Sequence, residues 1–325
     1  LSAIADPSDA AREFVRAQGV PFHSSLADLL DAGQPDGIIL ATPNHLHVEQ
    51  GLACIETGVP VLIEKPVADR LDKGLALLEA ADRTNAKVLV GHHRRYSAII
   101  ARAIELIEQG ALGRITAVSV TELLYKPDDY FAGPNAWRTR SGGGPALINL
   151  IHDIGNLRAL AGEIVELHAL TSSAVRRHEV EDTAAISLRF ASGALCTIIL
   201  SDTAASDRSW EHSSGEDRDN FARAHVDDVD CYLIAGTEGS LGIPTLQLRR
   251  FGEGVERSWL NPLERSRSSV EPVDPLAAQI AHFCDVIQGK AEPLVSLRDG
   301  LANLAVIEAI NQSARTGERV AIKAL

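Results

Sequence analysis

Short apolar runs alternate with amphipathic segments through the first 110 residues, and this alternation leaves few folds open. Leu1 to Ala5, Gly37 to Ala41, Val59 to Glu64 and Lys87 to Gly91 read as strands. Val61, Leu62 and Ile63 are continuously apolar, as in a strand buried on both faces of a parallel sheet. Helices are expected between them. One runs from Pro7 to about Gln18 with Asp6 as its N-cap, and one is capped by Ser24 and carries Leu26, Leu29 and Leu30. A third follows Asn44 and reaches Thr57, and a fourth covers Asp69 to about Arg83. A fifth bears Ile99, Ile100, Ala103, Ile104 and Ile107. Strands separated by helices form βαβ units. With right-handed crossovers these build half or more of a doubly wound, dinucleotide-binding α/β domain.

In open α/β sheets ligands bind beyond the carboxyl ends of the strands. Two such ends carry chemistry: the turn Thr42-Pro-Asn-His45, and Glu64-Lys65-Pro66, where the proline ends the strand and biases Lys65 towards extended backbone. Taken alone, Lys65 reads more readily as a solvated strand-end lysine. Asp6, after the strand at Leu1–Ala5, sits where an acid accepts the adenosine ribose hydroxyls, although a helix cap also explains it. The glycine fingerprint belongs about 20 residues upstream of that acid. Neither Gly142–Gly144 nor Gly236–Gly239 has its spacing, and methionine is absent from all 325 residues. The expectation is that an N-terminal segment precedes Leu1, or that methionines are missing from the sequence.

From Arg114 the pattern changes. A long strand to Tyr125 leads into a polar loop, Lys126 to Arg140, and then a helix from Ala146 to about Leu160 that presents Asn149, His152 and Asp153. Ala184 to Phe190 alternates apolar with polar residues and is followed by Leu195–Ser201. Further strands are expected at Tyr232–Ala235, Leu246–Phe251 and Glu256–Leu260, and Ser206–Asp228 reads as a hydrophilic surface loop. The domains are therefore drawn at 1–112 and 113–325, the second an α+β domain with an open, mainly antiparallel sheet. Its uncovered face predicts a homodimer or homotetramer. A net charge of −13 argues against nucleic-acid partners, and no apolar run reaches membrane-spanning length, which points to a cytoplasmic protein. Cys54, Cys196, Cys231 and Cys284 lack metal-ligand spacing.

Ala5-Asp-Pro7, Ala41-Thr-Pro-Asn-His-Leu-His47, Glu64-Lys-Pro66, Gly91-His-His-Arg-Arg95, Leu112-Gly-Arg-Ile115, Trp137-Arg138, Gly142-Gly-Gly144 and His152 occur in this order. Together they resemble the glucose–fructose oxidoreductase, inositol dehydrogenase and rhizopine-catabolism (Gfo/Idh/MocA) family. The resemblance implies a two-domain NAD(P)-dependent oxidoreductase acting on a sugar, inositol or related polyol. It places Lys65 and His152 in catalysis. Asp6, Thr42, Pro43, Asn44, His45, Glu64, Lys65, Trp137 and Arg138 would lie against the cofactor. Tyr125, Tyr130, Asn149, His152, Asp153 and His93 are polar candidates for the substrate pocket. NAD is preferred over NADP because Asp6 would repel a 2′-phosphate. One departure stands out: the family Asp four residues before the histidine is Ile148 here, with Asn149 beside it. Two other classes remain, a nucleotide-binding sensor without catalysis and a zinc enzyme built on His45, His47, His92, His93, His152 and Asp153. No metal is expected on the preferred reading.

Overall fold

The computed structural model of the chain describes residues 1–217 and 221–325. The first part contains β1 (Ile4–Ala5), α1 (Asp9–Gln18), β2 (Phe22–His23), α2 (Leu26–Ala32), β3 (Ile38–Leu40), α3 (His47–Thr57), β4 (Val61–Glu64), α4 (Leu71–Thr84) and β5 (Val88–Gly91). The second part opens with α5 (Ala98–Glu108), β6 (Ile115–Leu123), α6 (Ile151–Ala161), β7 (Ile164–Ser172), β8 (Thr183–Phe190) and β9 (Leu195–Ser201). It continues through α7 (Trp210–Ser213), β10 (Tyr232–Gly236), β11 (Gly239–Ile243), β12 (Gln247–Arg250) and β13 (Glu264–Arg267). The chain closes with α8 (Pro275–Ile287), α9 (Leu297–Thr316) and β14 (Val320–Ala321).

By packing, the chain divides into Leu1–Gly91 with Ile280–Leu301, and His92–Gln279 with Ala302–Leu325. Two segments thus group differently from the sequence-drawn boundary at 112. Ile99, Ile100, Ala103 and Leu106 of α5 join the core of the second unit. Phe283 and Val286 of α8 instead cover Leu62 and Leu89 in the first.

In the first unit β3, β4 and β5 pair in parallel, with Leu40 opposite Ile63 and Glu64 opposite Gly91, and β1 pairs in parallel with β2. Val61, Leu62 and Ile63 are fully buried, each contributing roughly 1.5–3 kcal/mol relative to exposure. Gly58 closes α3 in the left-handed region, φ 74°, and its N–H caps the carbonyls of Cys54 and Ile55. The helix ends differ from expectation by a residue or two. Ser8, not Asp6, caps α1, and Ser25, not Ser24, caps α2, each hydroxyl accepting a backbone N–H three residues on.

The second unit is built on a sheet with order β13-β12-β11-β10-β6-β9-β8-β7-β14. Within this sheet, among the described strands, only β6 and β9 pair in parallel. Val118, Val120, Ile186, Leu188, Cys196, Ile198, Leu200 and Ile234 turn to one side and pack under α5, α6 and the later part of α9. Ala117, Ser119, Ala185, Thr197 and Leu233 alternate to the other side and are exposed. The strand expected at Glu256–Leu260 does not form, and β13 lies at Glu264–Arg267 instead. Gly254 turns the chain at φ 76°, and Trp259 stands 95% exposed, with nothing to pack a strand face against. β7, β11 and β14 were not anticipated.

Candidate active site

The parallel register of β3, β4 and β5 brings their carboxyl ends to one edge of the sheet. Thr42 follows the first end and Lys65 the second. His47, fully buried, ties the two together: one ring nitrogen lies 2.7 Å from the Thr42 carbonyl and the other 2.9 Å from the Pro66 carbonyl. Burial lowers the His47 pKa, and the two carbonyls oppose that shift. Asn44 and His45 form a single 3-10 turn before α3, with His45 in solvent, and Thr42 Oγ1 donates to Gln50 Oε1 at 2.6 Å. The sequence motif is therefore half structural, with His47 holding the shape that Thr42, Pro43, Asn44 and His45 present.

Glu64 and Lys65 are both half-buried. Burial raises the Glu64 carboxyl, opposed by the Lys65 charge and by the Lys65 N–H, which donates to it at 3.3 Å. Gly91 lies against this carboxylate so closely that a Cβ there would sit 2.6 Å from its oxygen. Only glycine leaves Glu64 its place. At the end of β1, Asp6 accepts the Ser8 N–H (2.8 Å) and hydroxyl (2.6 Å) through Oδ1 alone. Its second oxygen remains available to a ribose hydroxyl. Asp6 is thus a half-buried carboxylate at the end of a parallel strand.

In the second unit, a π-helical turn over Ala146–Leu150 runs into α6 and carries Asn149 towards His152 and Asp153. Such turns are rare and recur at functional sites. His152 packs edge-on against His92 (5.3 Å) and His93 (4.8 Å). Asp153 is wholly buried: Arg94 Nη1 donates to it at 2.9 Å, and the Tyr232 hydroxyl donates to the same oxygen. Asp153 therefore serves a buried charge network instead of the substrate role expected for it. The network continues through Arg94 Nη2 to Glu211 Oε1 (2.6 Å) and from Glu211 to the Asn149 amide (3.4 Å). Asn149 Oδ1 in turn accepts from Lys126 Nζ, so the amide orientation is set by a donor on one side and an acceptor on the other.

Glu122 and Glu211 complete the cluster. Burial drives Glu122 far above the ordinary carboxylate range. Glu211 is also pushed up by burial, but the Arg94 charge above all outweighs this and holds it at about 2. Glu122 accepts the Trp210 N–H at 3.1 Å. None of Arg94, Glu122, Lys126, Glu211 and Tyr232 was singled out as functional from sequence. Glu122 left a signal, because the alternation of Val118 and Val120 puts it on the core face. Glu211 left none, since Ser206–Asp228 reads as a hydrophilic loop; within it, α7 buries Trp210. Arg218, Asp219 and Asn220 of that loop lie outside the described residues.

The other sequence candidates are dispersed within this unit. Trp137 is 49% exposed on a 3-10 segment, Gly133–Thr139. Arg138 stacks 3.9 Å over the Tyr130 ring and donates to the Tyr130 carbonyl at 2.9 Å. Tyr125 is exposed. Among the described residues no group of three or more His, Cys, Asp and Glu side chains is placed to hold a metal. His47 and Asp153, both needed by the zinc alternative, are committed to carbonyls and to Arg94.

Burial also sets a pH response. It raises Asp153 to about 6 despite Arg94, and Glu216 to about 7. A carboxyl raised on folding stabilises most below its unfolded pKa and loses that contribution as pH rises through the folded value. Melting temperature should therefore fall between about pH 4 and 7. Glu216→Gln should flatten part of that slope, and an unchanged slope in thermal melts would show that Glu216 does not contribute. Glu211 acts in the opposite sense, its contribution fading as pH drops from the ordinary carboxylate range towards 2.

Comparison with known proteins agrees with this geometry. Residues 1–92 match the family model described as the oxidoreductase family NAD-binding Rossmann fold, and residues 104–322 match that of the oxidoreductase family C-terminal alpha/beta domain. The 1,5-anhydro-D-fructose reductase of Ensifer adhaerens is 28% identical over 303 residues, 92% of this chain and 84% of the relative. The D-apiose dehydrogenase of Paraburkholderia graminis is 25% identical over 98% of this chain and 82% of its own. Among solved structures, the WlbA dehydrogenase from Bordetella pertussis in complex with NADH and UDP-GlcNAcA superposes with a TM-score of 0.77 at 28% identity. That match covers 99% of this chain and 90% of that one. A parallel strand edge bearing Thr42 and Lys65 in one unit and a histidine-bearing helix on an open sheet in the other accord with the family matches over both, which place this chain in the Gfo/Idh/MocA oxidoreductase family.

Proposed function

We propose that this protein is an NAD(P)-dependent oxidoreductase moving a hydride between nicotinamide and a hydroxyl-bearing carbon of a sugar, inositol or related polyol. The observation that carries the reading is the alignment of Thr42 and Lys65 at one edge of the parallel sheet, locked by His47. Oxidation of a secondary alcohol needs a base for the hydroxyl proton, and bound NAD supplies the hydride acceptor. Lys65, on rigid backbone and half-buried, is the base. His152 on α6 shares the proton transfer. Glu64 and the Thr42–His45 turn bind the nicotinamide side of the cofactor. Asp6 takes the adenosine ribose. Trp137 and Arg138 cover the cofactor, and Tyr125 and Asn149 bind substrate hydroxyls. The relatives named as a reductase and a dehydrogenase support catalysis over a sensor role.

The test is a screen of aldoses, inositols and sugar acids with NAD or NADP, read as absorbance of the reduced cofactor. Turnover with at least one compound is expected. Fluorescence titration should find NAD bound more tightly than NADP, because a carboxylate at Asp6 repels a 2′-phosphate. Tighter NADP binding would overturn that preference.

The protein also assembles with itself through the bare sheet face, as a dimer or tetramer. Leu195 (53% exposed), Ile199 (38%) and Leu233 (43%) lie on that face among small residues. Contiguous exposed apolar area of this kind marks an interface. Light scattering of the purified protein should give a dimer or tetramer mass, and Leu233→Glu with Leu195→Glu should yield monomer. A monomeric wild-type protein would contradict the assignment.

A further inference from the structure

Lys126 is 94% withdrawn from solvent, yet it forms no ion pair among the described residues. Its ammonium rests on the neutral Asn149 amide and 4.7 Å from the centre of the Tyr130 ring. Arg138, stacked on the same ring, also has no carboxylate partner among the described residues. Its Nε is buried without a hydrogen-bond acceptor. Two cations on one aromatic ring, each short of an anion, form an unusual arrangement, because buried charges are normally paired.

The surrounding charges define what is missing. Arg94 is met by Asp153 and Glu211, and Arg176 by Asp202 at 2.8 Å and Asp128 at 3.5 Å. Lys126 and Arg138 have no carboxylate within ion-pair distance among the described residues, so a single carboxylate would pair them. Glu211 and Asp202, which act on Lys126 from farther off, would repel a dianionic phosphate more strongly.

We propose that Lys126, with Arg138, receives a carboxylate of the substrate, so that the enzyme takes polyhydroxy acids in preference to the matching neutral sugars. This rests on the oxidoreductase reading and names the substrate class within it. Asn149, held between Lys126 and Glu211, then positions the neighbouring hydroxyl. Asn149 is a neutral amide and does not repel an acidic substrate. Arg138 would accordingly serve the substrate in addition to its expected place by the cofactor.

The experiment compares glucuronate with glucose, galacturonate with galactose, and glucose 6-phosphate as a phosphate control, using wild type, Lys126→Met and Lys126→Arg. Wild type should favour each acid over its neutral partner by about 10-fold or more in kcat/KM, mostly through KM, as a charge-assisted hydrogen bond provides. In Lys126→Met the acid-to-neutral ratio should collapse towards one, and Lys126→Arg should restore a preference for acids. Melting curves and NADH affinity check that each variant is folded. Calorimetric titration of the NADH-loaded protein with the same acids separates the two readings. Turnover of neutral sugars with no acid preference, or a preference for the phosphate, overturns the carboxylate site and leaves the oxidoreductase reading standing. If no compound is turned over, the oxidoreductase reading fails and the titration decides the site. Acid binding lost in Lys126→Met supports it, whereas no binding, or equal binding by the variant, refutes it.

Discussion

Replacing Lys65 by alanine should lower kcat by about 10²–10⁴-fold, the usual contribution of a positioned acid–base group, while NADH binding survives. The backbone argument makes this a clean substitution. Ile63, Pro66, Val67 and Ala68 around Lys65 are buried, and the Pro66 carbonyl is held by His47, so the strand end keeps its shape without the amine. On the proposed mechanism, what is lost is the proton acceptor at the sheet edge. Lys65→Arg should not rescue turnover, since a guanidinium stays protonated at any pH the protein survives. Steady-state kinetics with NADH fluorescence titration as the control would check this. Near-normal kcat in either variant would remove Lys65 from the mechanism.

The second large effect is on stability. Arg94→Met should destabilise the second unit by about 3–5 kcal/mol, the cost of leaving buried carboxylates without their partner. Arg94 is almost wholly buried and reaches Asp153 and Glu211 at once. Removing it leaves Asp153, among the described residues, with the Tyr232 hydroxyl as its side-chain donor, and leaves Glu211 with the long Asn149 contact. At roughly 2–4 °C per kcal/mol for a domain of this size, melting should drop by about 10 °C. Double replacement, Arg94→Met with Glu211→Gln, should recover part of the loss, because an amide tolerates burial better than an unpaired charge. A melting temperature within 2 °C of wild type for Arg94→Met, about the effect of 1 kcal/mol, would show that the network adds nothing.

The strand–helix alternation of the first 110 residues was legible because buried parallel strands are continuously apolar and their helices carry ordinary caps. Packing partners were less legible. α5 is an amphipathic helix whose apolar stripe fits either unit, and nothing in its period says that Ile100 and Ala103 enter the larger core. The Phe283 and Val286 stripe of α8 likewise gave no sign that it covers Leu62 and Leu89. In the candidate site, the strand-end motifs announced Lys65 and Glu64, and the helix announced His152. The buried network was harder to see because its members come from five separate stretches, around Arg94, Glu122, Asp153, Glu211 and Tyr232. Glu122 alone broke a visible alternation. Asp153 was named for substrate because it stands next to His152, but one step along a helix turns a side chain about 100° away. That rotation carries it into the core.

The account turns on direct hydride transfer from a carbinol carbon, and isotope labelling tests it most directly. Wild-type protein would be incubated with NAD and with glucuronate, glucose or inositol deuterated at every carbon, and the reduced cofactor analysed by mass spectrometry. The account predicts one deuterium in the NADH formed by wild type, and none formed at a comparable rate by Lys65→Ala. Reduced cofactor lacking deuterium, or labelled cofactor appearing equally fast without Lys65, would contradict it.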